Sequence, residues 1–230
     1  MKLVIQIPCY NEESSLPVTL KALPKKIDGI DEIQVLIIDD GSKDRTVEVA
    51  KELGVENFVI MPHNSGLARA FVAGINKALA LDADIIVNTD ADNQYCADDI
   101  ENLVKPIISG EADIVIGSRP VSEIEHFSPL KKLLQKLGSS VMRLISSTDV
   151  EDAPSGFRAF SRNSAIQLNV FDNYTYTLET IIQARAKGLQ LKCVPISVNP
   201  DLRESKLVKN MFDYIRRSMF TMIRMFIIYR

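Results

Sequence analysis

The 230-residue chain has few of the residues from which proteins build covalent or metal staples: three cysteines (Cys9, Cys96, Cys193) and two histidines (His63, His126). An odd number of widely spaced cysteines argues against a disulfide framework and for a reducing compartment. Neither these cysteines nor the isolated histidines show the close spacing of a zinc site. No uninterrupted apolar run reaches the ~18 residues that cross a bilayer. The apolar part of Met1–Pro8 is too short for a secretion signal and reads as a first strand. The chain also lacks a repeat period, a low-complexity tract and any linker rich in Gly, Ser or Pro. What remains is one globular domain of ordinary size, with 46% hydrophobic and 25% charged residues.

The net charge is unevenly placed along the chain. Residues 203–230 hold seven Lys/Arg and two acids, a net of +5, which leaves −8 on the other 202 residues against a chain total of −3. An acidic body with a basic, apolar tail speaks against nucleic acid as a partner and for a membrane surface. In that tail Val208, Met211, Phe212, Ile215, Met219, Met222, Ile223 and Phe226 fall on one helical face. The pattern predicts a helix lying in the membrane interface; a C-terminal core helix is the alternative that the same spacing allows.

Short β-rich runs at 3–7, 34–38, 57–61, 84–88 and 113–117 alternate with helical patterns near 14–23, 44–53, 66–81 and 97–109. The alternation predicts an α/β fold with a mostly parallel central sheet flanked by helices. Farther along, 129–146 reads as a basic amphipathic helix, 156–160 and 190–196 as strands, 177–187 as a helix and 199–205 as a polar loop. A turn is expected at Asp152-Ala153-Pro154-Ser155.

The chemistry is concentrated behind the strands. The fourth ends in Asp90-Ala91-Asp92-Asn93-Gln94, two carboxylates spaced i, i+2 with an amide beyond them. In an open α/β sheet, residues just past the carboxyl ends of strands sit where ligands bind. Such oxygen donors suit Mg²⁺ or Mn²⁺, which bridge to substrate phosphates. A second pair, Asp82 and Asp84, precedes the same strand and so belongs to turn chemistry at the opposite edge. The other strands run into Pro8-Cys9-Tyr10-Asn11-Glu12, Asp39-Asp40-Gly41-Ser42, His63-Asn64-Ser65-Gly66 and Gly117-Ser118-Arg119. Turn formation alone does not require acids and Arg119 to gather at one edge. For Asp40 and Ser42, capping of the following helix is the preferred reading.

Five motifs occur in order: Pro8-Cys9-Tyr10-Asn11-Glu12-Glu13, Ile37 to Thr46, Asn64 to Ala70, Asp90 to Gln94, and Ser155-Gly156-Phe157-Arg158-Ala159-Phe160. Together they resemble the family 2 glycosyltransferases of GT-A fold, and within them the dolichol/polyprenyl-phosphate sugar synthases, over about residues 1–210. The resemblance implies a GT-A catalytic domain at 1–205 and a basic amphipathic membrane-associating helix at 206–230. Many members of the family continue from that point into transmembrane helices, as a longer form of this chain would. It also implies an inverting transfer of one hexose from GDP-mannose, UDP-glucose or UDP-N-acetylglucosamine to dolichyl or polyprenyl phosphate, on the cytoplasmic face of a membrane.

By the same resemblance Pro8, Tyr10 and Glu12 line the nucleotide pocket, Asp39 contacts base or ribose, and Asn64 to Arg69 helps to close the site. Mg²⁺ or Mn²⁺ would be held by Asp92 and Gln94 with Asp90 close by. A lipid phosphate, already an anion, needs positioning and charge compensation rather than a base. Arg119 and Arg203 are the candidates for that task, with Lys132 and Lys206 as further substrate-binding residues. Arg158 reads equally as structural. Asp152 has three readings: it orients acceptor groups, it caps a turn, or it serves as base if the acceptor is a hydroxyl of a saccharide or lipid. Two further readings carry less: a nucleotidyltransferase, for which a basic Gly-rich phosphate loop is missing, and a non-catalytic scaffold, which the intact acidic motif opposes.

Overall fold

Along the first strand Leu3, Ile5 and Ile7 point to one face and Val4 to the other, and all four are fully buried. That alternation within an apolar run is the signature of a strand covered on both sides. The computed structural model of the protein describes residues 1–120, 138–143, 148–172, 175–200 and 211–229. Seven strands form one sheet: β1 (Lys2–Cys9), β2 (Glu32–Asp39), β3 (Asn57–Ile60), β4 (Ile85–Asn88), β5 (Ile114–Ser118), β6 (Arg158–Ser161) and β7 (Leu191–Pro195). Their order is β3-β2-β1-β4-β6-β5-β7. Only β6 runs against its neighbours, Asn88 facing Arg158 on one side and Ile116 facing Arg158 on the other.

Helices cover both faces. On one, α1 (Leu16–Ala22), α2 (Thr46–Glu52) and α4 (Ile100–Ile108) contribute Leu16, Ala50, Leu103 and Val104 to a core with Leu3, Ile5, Ile7 and Val115. On the other, α3 (Leu67–Ala80), α5 (Arg162–Gln167), α6 (Thr177–Ala186) and α7 (Met211–Tyr229) pack over Val4, Ile38, Ile86 and Phe160. The predicted stripe of α3 is the buried one: Ala70, Phe71, Gly74, Ile75 and Ala78 face the sheet. Helix α5 was not anticipated; its six residues are too few to show a period, and its start is fixed instead by Ser161, whose hydroxyl accepts from Ser164 N.

Helix α6 is buried almost all round although it carries Glu179, Thr180 and Gln183. Each of these polar groups is answered: Glu179 accepts from the backbone of Phe171 and Asp172, Gln183 bonds the backbone of Asn169, and Thr180 receives Arg158. Helix α7 packs on α6 through Met222 and Met225, while Thr221 donates to Asp172. Its outer side stays apolar and exposed, with Phe220 at 69%, Ile223 at 56% and Ile227 at 72%. Among the described residues no helix is long and apolar enough to cross a membrane. Of the amphipathic helix expected at 129–146, residues 138–143 are helical, and the rest lies outside the described residues.

Candidate active site

The chain leaves β1 toward β2 on one side and later adds β4 on the other, so the carboxyl ends of β1 and β4 flank the point where strand order reverses. That is where an open α/β sheet offers a crevice. The acidic motif lies there, held from several directions. Thr19 on α1 donates to Ala91 O at 2.9 Å. Asp92 accepts from Gln94 N at 3.2 Å, closing a tight turn, and Asn93 adopts a left-handed φ of 56° that asparagine tolerates. Tyr95, buried and stacked on Phe157, accepts from Gly156 N at 3.1 Å. Asn88, the last residue of β4, donates to Gly156 O and Tyr176 Oη, and its own carbonyl oxygen receives Gln6. Phe71 stacks on Tyr176 at 3.7 Å between ring centroids.

Gly156 explains itself by contact: a Cβ there would stand 3.2 Å from Tyr176 Oη and 3.5 Å from an Asp90 carboxylate oxygen. The glycine lets the Ser155-Gly156-Phe157-Arg158 segment press against the acidic loop. Asp90, Asp92 and Gln94 are all partly exposed. Among the described residues no three or more His, Cys, Asp or Glu side chains gather as a cage. Two carboxylates and an amide oxygen therefore fit a hard cation that completes its shell with phosphate oxygens and water, not one enclosed by protein.

The residues expected to line a nucleotide pocket stand at the ends of β1 and β2. Glu12 is buried, its carboxylate accepting from Ser15 Oγ at 2.6 Å while its N–H donates to Thr46 Oγ1. Asp39, also buried, accepts from Ser42 N with both oxygens at 3.3 Å. Pro8 and Tyr10 are half-buried beside them, and Asn64 and Arg69 are exposed. Burial pushes the Cys9 thiol well up, and Glu12, Asp39, Asp44 and Asp90 push it further. Four carboxylates thus share one field, which favours a cation and disfavours a bare diphosphate.

Two sequence expectations are corrected here. Asp40 does not cap α2: it accepts from Ser65 N at 2.7 Å and Gly66 N at 2.9 Å, at the start of α3. Asp44 accepts from Thr46 N at the start of α2 instead, and Ser42 Oγ takes the N–H of Asn11. The sequence neighbour loses because Gly41, at φ 73°, folds the turn onto the next loop; a Cβ there would meet the His63 backbone at 2.6 Å. The pair at Asp82 and Asp84 lies at the opposite edge as expected, Asp82 left-handed and Asp84 accepting from Lys2 N.

On the far side of β6, Arg119 forms a two-pronged pair with Asp152: Nε to Oδ2 at 2.6 Å and Nη2 to Oδ1 at 3.0 Å. The Asp152 side chain is 1% exposed and that of Arg119 10%. Burial alone would lower the Arg119 pKa, but Tyr95 and Asp152 raise it overall, so the guanidinium stays charged. Tyr95 is itself pushed up to about 12 by burial, and it senses Arg119, Asp90 and Asp152. Tyr95 and Arg119 thus lie within electrostatic reach of each other and of both Asp90 and Asp152. Arg158 is structural: fully buried, it donates to Ala153 O, Ser155 O, Thr177 O and Thr180 Oγ1 at 2.7–2.8 Å. Lys132, Arg203 and Lys206 lie outside the described residues.

Sequence reasoning did not single out Asn88, Tyr95, Tyr176 or Thr19. Tyr95 directly follows the acidic motif, and Asn88 is a polar residue closing an apolar strand, so both carried a signal. Tyr176 and Thr19 carried none.

A model of the glycosyl transferase family 2 matches residues 4–168. The chain is 33% identical over 211 residues to a UDP-N-acetylglucosamine–dolichyl-phosphate N-acetylglucosaminyltransferase of Methanococcus voltae, covering 83% of this chain and 82% of that one. It is 30% identical over 218 residues to an undecaprenyl-phosphate mannosyltransferase of Micrococcus luteus, covering 90% and 88%. Its fold matches a glucosyl-3-phosphoglycerate synthase of Mycobacterium tuberculosis solved with Mn²⁺, UDP-glucose and phosphoglyceric acid. There the TM-score is 0.75 at 19% identity, over 98% of this chain and 79% of that one.

Proposed function

The chain belongs to glycosyl transferase family 2, and on that premise we propose that it moves a single hexose from a nucleotide-diphosphate sugar to a dolichyl or polyprenyl phosphate. One observation carries the reading: the oxygen-donor loop Asp90–Gln94 and the Arg119–Asp152 pair lie past the carboxyl ends of β4 and β5, one strand apart in the same sheet. The names of the two relatives, both of which act on lipid phosphates, support the choice of acceptor. They differ in sugar, so GDP-mannose, UDP-glucose and UDP-N-acetylglucosamine all stand as donors.

In this scheme Asp90, Asp92 and Gln94 would hold Mg²⁺ or Mn²⁺, which when bound would supply charge neutralisation for the departing nucleoside diphosphate. Pro8, Tyr10, Glu12 and Asp39 receive the nucleoside, with Asn64 and Arg69 at the rim. A phosphate oxygen of the acceptor forms a bond to the anomeric carbon as the bond from that carbon to the donor β-phosphate oxygen breaks, inverting the centre. The nucleoside diphosphate leaves, and no proton changes hands. Arg119 orients and neutralises the incoming phosphate, together with Arg203, Lys132 and Lys206. Asp152 is the holder of Arg119. Both of its oxygens are engaged by that guanidinium, which leaves it badly placed to take a proton and weighs against a hydroxyl acceptor.

The catalytic domain then comprises 1–205, and the segment from 206 rests on the cytoplasmic face of a membrane. Support comes from the exposed apolar side of α7 and from Arg216 and Arg217, both exposed beside it. The test is a transfer assay with radiolabelled GDP- and UDP-sugars, Mg²⁺ or Mn²⁺ and polyprenyl phosphate, read by organic extraction. Label entering the organic phase from one donor is the expected result. Label reaching only saccharide or lipid hydroxyls would replace the acceptor.

A further inference from the structure

Beyond β7 the chain does not turn away from the site. Ile196 N donates to Ser118 O, at the end of β5, at 3.0 Å. Ser197 then donates its N–H to Asp99 and accepts from Cys96 N, and Val198 pairs with Tyr95 as an isolated antiparallel bridge. Asn199 completes the crossing. Its N–H donates to Gln94 O at 2.8 Å, and its side-chain amide donates to Asn93 O at 2.9 Å and Tyr95 O at 3.3 Å. One residue therefore grips the backbone of three consecutive residues in the acidic loop. Pro200 follows it, and a residue before proline is confined to the extended conformation that such a bridge uses.

The grip falls on the left-handed turn at Asn93, between Asp92 and Gln94, two of the three side chains that the proposed function assigns to the cation. Rotation of that peptide would swing Asp92 and Gln94 apart. Thr19 holds the loop at Ala91 from the α1 side, and Tyr95 is held at its hydroxyl by Gly156.

We infer that Asn199 is a positioning residue that fixes the Asn93 turn and thereby aims Asp92 and Gln94 at one cation. The inference rests on the proposed use of that loop for metal. Groups that orient metal ligands from behind cost ~10- to 100-fold in metal affinity when removed, and Asn199 would act in that way through the backbone.

The experiment is a titration of the full chain with Mn²⁺ in the presence of UDP and, separately, GDP, followed by the electron paramagnetic resonance of free Mn²⁺. Wild type, Asn199→Ala and Asn57→Ala are compared. Asn57 bonds Gln34 and Val35 from β3 at the edge of the sheet, so it reports general loosening. The expected result is a midpoint raised ~10-fold or more in Asn199→Ala at an unchanged melting temperature, with Asn57→Ala like wild type. An unshifted midpoint in Asn199→Ala overturns the inference and leaves the proposed function standing. An equal shift in Asn57→Ala overturns it as well. A wild type that binds no Mn²⁺ with either nucleotide removes the metal reading and this inference together.

Discussion

Replacing Asp152 by asparagine separates the two roles open to that carboxylate. The change keeps the shape of the side chain but removes its charge, leaving the Arg119 guanidinium buried against a neutral amide. Both groups are nearly enclosed, at 1% and 10% side-chain exposure, so solvent screens the pair only weakly. Breaking a buried pair from one side costs ~3–5 kcal/mol. The asparagine oxygen can keep one of the two bonds, which favours the lower end, about 3 kcal/mol. For a chain of this length each kcal/mol shifts Tm by ~2–4 °C, so Asp152→Asn should melt ~6–12 °C below wild type. Thermal unfolding followed by circular dichroism measures this directly. Removing both charges, in Arg119→Met with Asp152→Leu, should cost less than the sum of the single changes, because no unpaired charge is left. Below its melting range Asp152→Asn should keep the pH profile of kcat, since no proton passes through it. A variant that melts within ~2 °C of wild type while losing turnover and its pH dependence would refute the reasoning. Asp152 would then be a general base, and the acceptor a hydroxyl.

Asp92→Ala should abolish transfer and remove the Mn²⁺ dependence of nucleotide binding, as isothermal titration with and without Mn²⁺ would show. Arg158→Met should lower stability by at least ~3 kcal/mol, because three buried carbonyls lose their donor; denaturant unfolding checks it, and an unchanged midpoint would contradict the structural role. Burial raises the Glu179 pKa in the fold, so the native state binds the extra proton, and stability falls as pH rises from the ordinary carboxylate value through the raised one. Glu179→Gln should flatten that slope in melting curves taken from about pH 4 to pH 7. Ile223→Asp with Ile227→Asp alters two exposed positions, so Tm should hold while binding to anionic vesicles drops more than ~100-fold, at ~1.5–3 kcal/mol per apolar side chain; co-sedimentation measures it.

Much of this molecule is legible in the chain because the signals are local. Strand positions follow from apolar runs, α3 from its stripe, and the acidic loop from its place after Ile85–Asn88. Strand direction is another matter: nothing in Arg158-Ala159-Phe160-Ser161 tells that β6 runs against β4 and β5. The same limit governs the site. The motif residues are short-range and readable, but their partners are not, since Arg119 and Asp152 are 33 residues apart and Asn88 and Tyr176 88 apart. Asp40 shows how the fold overrides proximity. Its nearest helix is α2, yet the turn at Gly41 brings the start of α3 within its reach.

The placement of β6 between β4 and β5 sets a length. The acidic loop leaves one strand and Arg119 leaves another, with a single strand interposed. The strand ends they leave from are therefore two rungs of a hydrogen-bonded ladder apart, ~9–10 Å. Loops above the sheet can be exchanged, lengthened or recharged without altering that gauge. Glycosyltransferases on this frame can diverge in their loops while the span between the two strand ends stays constant.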